Sequence, residues 1–200
     1  MARPRRQDAR RAEIINAAAL AIAERGLVGL RIKDIAAAAG LSPGSVAYYY
    51  PELDDLLLAV HEAAVTRFYR ARRDAIADVT DPMRRLGVLI DLGICDPDDP
   101  MSPALYELHL HSARADRHAE LMTQLFEREA SLYREVIDQG VAEGVFTVDG
   151  DIAHVASAAI AIEDGFGLHL VGRNRRVDPA WVRASLRQFL AAALGCPGLV

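Results

Sequence analysis

The chain reads as an all-α protein, a small helix-turn-helix head on a larger helical body, and three observations predict it. Hydrophobic residues make up 52 % of the 200 positions and aromatics only 6 %, with alanine abundant, a composition that favours helix over sheet. Apolar positions recur three and four apart along nearly the whole chain, and no segment alternates as a strand would. Charge is uneven: the net value is -5, yet residues 1–50 hold eight Lys or Arg against four acids, which leaves the other 150 at -9. A basic end on an acidic body suits a nucleic-acid-binding head joined to a part that does not touch nucleic acid.

Ile14, Ala18, Ala21 and Ile22 line one face of a first helix, from about Gln7 to Arg25, which Gly26 stops. Arg3, Arg5 and Arg6 precede it and read as an arm for the DNA backbone or minor groove. Ile32, Ile35, Ala36 and Ala39 form the apolar face of a short second helix that Gly40 ends. Ser42 and Pro43 give the third helix a capping hydroxyl and a proline at its first position. Val46 and Tyr50, four apart, turn inward, leaving Gly44, Ser45, Ala47, Tyr48 and Tyr49 on the outer side; Pro51 ends the helix.

A long fourth helix follows from Glu52 towards Asp78, joining head to body directly. Thr80-Asp81-Pro82 starts the fifth helix, and the run Asp96-Pro97-Asp98-Asp99-Pro100 breaks it. Ser102-Pro103 caps a sixth, Asp116 opens a seventh, Asp151 caps an eighth to about Val171, and Asp178-Pro179 caps a ninth to Leu194. The expectation is nine helices, with a helix-turn-helix DNA-binding domain at 1–52 and a helical body, the second domain, at 53–200.

In the head, Ser42, Ser45 and the free N–H groups at the start of the third helix suit phosphate oxygens. Tyr48 and Tyr49 present hydroxyls for phosphates and ring faces for thymine methyls or sugars. Lys33 is placed to reach a guanine edge or a phosphate. The run from Ile14-Ile15 and Ala17-Ala18 to Gly26, then Ile32-Lys33-Asp34-Ile35-Ala36, Ala39-Gly40-Leu41-Ser42, Gly44-Ser45-Val46 and Tyr48-Tyr49-Tyr50-Pro51, resembles the head motif of the TetR family of bacterial transcriptional regulators. Leu56-Leu57-Leu58-Ala59-Val60 continues the likeness into the fourth helix. Ile162-Glu163-Asp164-Gly165, Gly167-Leu168 and Val177-Asp178-Pro179 also resemble that family's choline/betaine-repressor branch.

The resemblance implies a homodimer that binds a palindromic double-stranded DNA operator as a repressor and is released by a small-molecule effector. Two departures change the expected contacts. Ala47 stands where the family usually has an aromatic, and Leu53 where it usually has a lysine that pins the fourth helix to a phosphate. Binding is then expected to lean on Arg31, Lys33, Ser45, Tyr48 and Tyr49, with Ser42, Pro43 and Gly44 as further candidates for contact with DNA. The alternative is a helical ligand-binding or interaction protein with weakened DNA recognition.

The same resemblance places an effector pocket among helices four to eight, with Phe68, Leu86, Ile90, Tyr106, His109, Leu125, Phe126, Tyr133, Glu163, Phe166 and His169 as lining candidates. Glu163 and Asp164, inside the most apolar helix, suit either a cationic ligand or a partner among Arg173, Arg175 and Arg183. The wide apolar faces of the last two helices suit a four-helix bundle between copies, with Val155, Ala159, Ile162, Trp181, Leu186, Phe189 and Leu190 prominent.

Enzyme signatures fail on inspection. Gly40-Leu41-Ser42-Pro43-Gly44 matches a nucleophile-elbow pattern, but Pro43 has no N–H for an oxyanion and no strand precedes it. His61-Glu62-x-x-Val65 lacks the second histidine of a zinc protease. No cofactor and no metal is expected. Cys95 and Cys196 stand far apart without metal or redox spacing, as suits a reduced cytoplasmic protein. No apolar run is long enough to cross a membrane, and the signal-like start, Met1 to Ala23, is interrupted by Asp8, Glu13 and Asn16.

Overall fold

The computed structural model describes residues 2–199, with side chains from Arg6 onward. Among these residues are nine α-helices, two short 3-10 turns and no strand. The helices are α1 (Ala2–Arg25), α2 (Ile32–Ala38), α3 (Pro43–Tyr49), α4 (Leu53–Ile76), α5 (Pro82–Gly93), α6 (Met101–His111), α7 (Asp116–Ala142), α8 (Ile152–Val171) and α9 (Pro179–Ala193).

The chain forms two compact units, and neither is one continuous stretch. The first comprises Met1–Thr66 and Pro97–Met122, and so holds α1 to α3, the front of α4, α6 and the first turns of α7. The second comprises Arg67–Asp96 and Thr123–Val200, with the rest of α4, α5, the remainder of α7, α8 and α9. Residues 1–52 lie within the first unit but do not close its core alone, because α1 packs against α6 as well as α2.

In the first unit Ile14, Ala18, Ala21 and Ile22 of α1 are buried on the face their spacing defines, and Leu30, Ile35, Ala36, Val46 and Tyr50 are buried in the same unit. The small side chains on that face let neighbouring backbones approach closely. α1 starts at Ala2, so Arg3, Arg5 and Arg6 occupy its first turns and do not form an arm before it. The reason is local: Pro4 is the sole breaker there, and in a first turn its missing N–H costs no hydrogen bond. The side chains of Arg3 and Arg5 lie outside the described residues; Arg6 is exposed.

The helix starts mostly follow the chain's capping residues. Asp81 accepts from Arg84 N at 2.7 Å, Asp151 from Ala153 N at 2.8 Å, and Asp178 from the N–H groups of both Ala180 and Trp181 at 3.0 Å. α6 is the exception. Asp99 accepts from Met101 N at 3.1 Å, and Ser102, the expected cap, sits buried within the helix. An aspartate two residues ahead of the first free N–H reaches it without competing for a place in the core.

The second unit buries Leu86, Leu89 and Ile90 of α5, Leu132, Val136 and Ile137 of α7, Ala159 and Ile160 of α8, and Val182, Leu186 and Leu190 of α9. Its rim carries ion pairs between helices: Arg85 reaches Glu135, and Arg187 reaches Asp91 at 2.9 Å. No helix is long and apolar enough to cross a membrane among the described residues.

Candidate nucleic-acid interface

The turn between α2 and α3 is built for a sharp reversal. Gly40 holds φ +64°, a left-handed conformation that a Cβ would strain. Leu41 N then donates to Ala36 O at 2.9 Å, closing the end of α2. Ser42 caps α3, its hydroxyl accepting from Ser45 N at 3.1 Å and lying 2.8 Å from Ser45 Oγ. That hydroxyl is therefore committed to the helix, while the Ser45 hydroxyl stands at an exposed position beside it.

α3 separates its faces as its spacing predicts. Val46 is fully buried and Tyr50 is 5 % exposed, with the Arg11 guanidinium 5.3 Å above the Tyr50 ring. Pro43, Gly44 and Ser45 face solvent, and Tyr48 is 73 % exposed. Tyr49 is half-buried and meets Tyr48 edge to face at 5.1 Å. The edge contact sets the two hydroxyl-bearing rings side by side on the outer part of α3. Ala47 and Leu53 are half-buried.

Beside α3, the corner between α1 and α2 gathers positive charge. Arg31 caps α2 in an extended conformation, its N–H donating to Asp34 Oδ2 at 3.0 Å, while Arg25 pairs with Asp34 Oδ1 at 3.1 Å. Arg25, Arg31 and Lys33 line an open cleft of about 340 Å³ together with Asp34. The Asp34 carboxylate thus holds the Arg25 guanidinium and the backbone at Arg31, and with three cations to one carboxylate the cleft is net positive, a surface suited to phosphate. Arg25 was not among the expected contacts; its place after the apolar face of α1 gave no sign that the chain folds back beside it.

The residues expected to line an effector pocket are divided. Tyr106 and His109 belong to the first unit, and the others to the second. Within the second unit Leu86, Ile90, Leu125, Tyr133 and Glu163 are buried, Phe68 and Phe166 half-buried, and Phe126 and His169 exposed. The outward course of those last two follows from helix phase: Phe126 sits one position beyond the buried Leu125, and His169 one before the buried Leu170.

Glu163 pairs with Arg72, and not with Arg173, Arg175 or Arg183. The Arg72 guanidinium grips both Glu163 oxygens, at 2.9 and 3.0 Å, and reaches Glu129 Oε1 at 3.0 Å. Tyr133 donates its hydroxyl to Glu163, and its ring lies 5.3 Å from the guanidinium carbon. Burial pushes Glu163 up to about 7, against the pull of Arg72 and with help from Glu129; burial likewise raises Asp164 to about 6. Burial opposes the charge on Arg72, but Glu163 and Glu129 outweigh it and hold the guanidinium protonated. The alternatives lie beyond the end of α8, whereas Arg72 faces Glu163 from within the same core. Gly93 completes the fit, since a Cβ there would fall 2.0 Å from Glu163 Oε1.

Of the residues expected between copies, Ala159, Leu186 and Leu190 are buried within the second unit and serve its own core. Val155, Ile162 and Phe189 are half-buried. Trp181 is 50 % exposed and packs edge to face against Phe166 at 5.2 Å.

Comparison with known proteins agrees with this geometry. Residues 14–60 match the domain described as bacterial regulatory proteins of the tetR family, and residues 97–195 the C-terminal domain of BetI-type transcriptional repressors. The HTH-type transcriptional repressor KstR2 of Rhodococcus jostii is 26 % identical over 72 % of this chain and 71 % of its own. A TetR transcription regulator from Haloarcula marismortui superposes with a TM-score of 0.82 at 30 % identity, covering 94 % of this chain and 99 % of that one. A transcriptional regulator from Saccharomonospora viridis, solved in complex with choline, gives 0.85 at 24 % identity over 94 % and 98 % of the two chains. These relatives are DNA-binding regulators and not enzymes. With its helix-turn-helix and its BetI-type C-terminal region, the chain belongs to the TetR family of bacterial transcriptional regulators.

Proposed function

We propose that this regulator binds a two-fold symmetric operator as a homodimer, each copy laying α3 in a major groove, and that a small molecule taken up by the second unit releases it. The observation that carries the DNA reading is the outer face of α3. Tyr48, in edge contact with Tyr49, stands in solvent beside Ser45 while Val46 and Tyr50 fill the core. A ring as exposed as that of Tyr48 adds little to the core. On a helix that packs against α2, which contributes to the basic cleft, such a ring suits DNA recognition, where hydroxyls and ring faces meet phosphate, sugar and thymine methyl.

Homodimerisation through α8 and α9 is supported by Trp181, Phe166 and Ile162, apolar side chains left partly in solvent on neighbouring turns of those helices. Two copies of such a face form an isologous contact, which sets two recognition helices about a two-fold axis. An effector releases the operator only by favouring, through tighter binding, a state in which the two helices no longer match successive grooves.

The test is a mobility shift with the region upstream of the chain's own coding sequence. A complex that unrelated duplex at equal concentration leaves intact is expected. Equal competition by unrelated DNA would overturn the operator reading.

A further inference from the structure

His61, on α4, is wholly buried, and its Nδ1 lies 2.8 Å from Nδ1 of His118 on α7, the two rings edge to edge with centroids 5.0 Å apart and planes 25° from parallel. Its other nitrogen, Nε2, lies 3.1 Å from the sulfur of Met122. A thioether sulfur only accepts, so His61 carries its proton on Nε2 and its Nδ1 is the acceptor. His118 must then donate from Nδ1, which leaves its own Nε2 as the next basic site. The pair is neutral and shares one N–H, and both residues belong to the unit that carries α3.

The surroundings oppose charge on the pair. From α6, His109 and His111 face it, with His111 edge-on to His118 at 5.1 Å; from α7 Arg117, itself paired with Asp55 of α4 at 3.4 Å, adds a positive charge, and Asp54 of α4 favours protonation of His118. Burial and the neighbouring histidines bring His61 down to about 4, and burial, His111 and Arg117 also lower His118. A proton has a way in, because His118 and His111 line an open cleft of about 230 Å³ with Asp54, Asp116 and Arg117.

We propose that the His61–His118 pair is a proton-operated latch on the DNA-binding unit: neutral, it ties α4 to α7, and in acid it releases them and weakens DNA binding. The first added proton goes to His118 Nε2 and leaves the shared hydrogen bond in place, at the expense of a buried charge. The second goes to His61 Nδ1, sets two N–H groups against each other and parts the rings. An opened unit meets neither restriction and takes up both protons near the ordinary histidine value. Opening therefore becomes easier as pH falls below about 6.5, by up to about tenfold per pH unit for each histidine. Only three residues separate the end of α3 from the start of α4, so loosening α4 disturbs the seat of the recognition helix.

Hydrogen exchange on the full chain tests this between pH 7.5 and 4.5. Peptides from residues 53–66 and 101–122 are expected to lose protection progressively below pH 6.5. The variant His118→Gln, which keeps a polar partner for His61 but does not titrate, is expected to lose at least half of that pH slope. Long-range proton–nitrogen correlation spectra of the wild-type histidines give a second reading that needs no variant. His61 is expected as the Nε2–H form and His118 as the Nδ1–H form at pH 7.5. Flat protection across the range, or both rings titrating near 6.5, would overturn the latch. Neither readout involves DNA, so a failure to find an operator leaves the two conclusions separable.

Discussion

Arg72 stands between two carboxylates in a core, with its Nε buried and without a hydrogen-bond partner. Removing the guanidinium would strand Glu163 and Glu129 in low dielectric. Arg72→Met is therefore expected to cost about 3–5 kcal/mol in chemical denaturation, and adding Glu163→Leu should restore part of the loss. A site of this kind is written in the sequence as a charge on an apolar row. Arg72 follows Ala64 and Phe68 at spacings of four, Glu129 lies between Leu125 and Tyr133, and Glu163 sits among Ala159, Ile160 and Gly167. Each row shows that the charge turns inward; which charges meet depends on how α4, α7 and α8 pack, and no local signal fixes that. Arg72 and Glu129 were missed for this reason. On α3 the periodicity was sufficient for Val46 and Tyr50, but it does not rank Tyr48 above Tyr49. The structure does, and Tyr48→Ala is expected to weaken operator affinity by roughly fivefold to tenfold in a mobility shift, with helicity unchanged, as befits one lost polar contact to DNA.

Among the elements, the helices were legible because breakers and caps lie where the apolar periodicity stops. Asp81, Asp151 and Asp178 each hold the first free N–H groups of the helix behind them. α9 depends on its cap more than the others, since one carboxylate oxygen serves both Ala180 and Trp181. Asp178→Ala is expected to lower stability by about 1–2 kcal/mol, read from the denaturation midpoint. The start of α6 was misplaced because two acceptors, Asp99 and Ser102, compete within four residues, and burial of Ser102 decides between them. The start of α1 was misplaced because a run of arginines reads as a solvated arm whether or not its backbone is helical.

For the whole molecule, the two units answer acid in opposite directions. In the first, the histidines have values held below the unfolded one, so the unfolded state binds more protons and stability falls as pH drops from about 6.5 towards 4. In the second, Glu163 and Asp164 are held above their unfolded values of 4.5 and 3.8, at about 7 and 6. There the folded state binds more protons, so its contribution is complete at low pH and is lost as pH rises through those values. Between pH 7 and 5, peptides from α5, α8 and α9 should gain protection from hydrogen exchange while those from α6 lose it. Assembly offers a separate check: Trp181→Glu is expected to shift sedimentation at micromolar concentration from dimer to monomer without loss of helix, because the ring is half in solvent already. The sequence could not show which apolar residues are left for a partner, since Leu186 and Trp181 look alike until the subunit's own core is filled. Nor could it show that the first unit draws on residues 97–122. That interruption has a bearing on synthesis. At about 5–20 residues per second, a ribosome spends several seconds between delivering α3 and releasing α6, and until then the inner face of α1 has no permanent cover. The nascent chain therefore exposes its DNA-reading end to chaperones longest, and a pause between codons 66 and 97 should lower soluble yield more than one placed after codon 122.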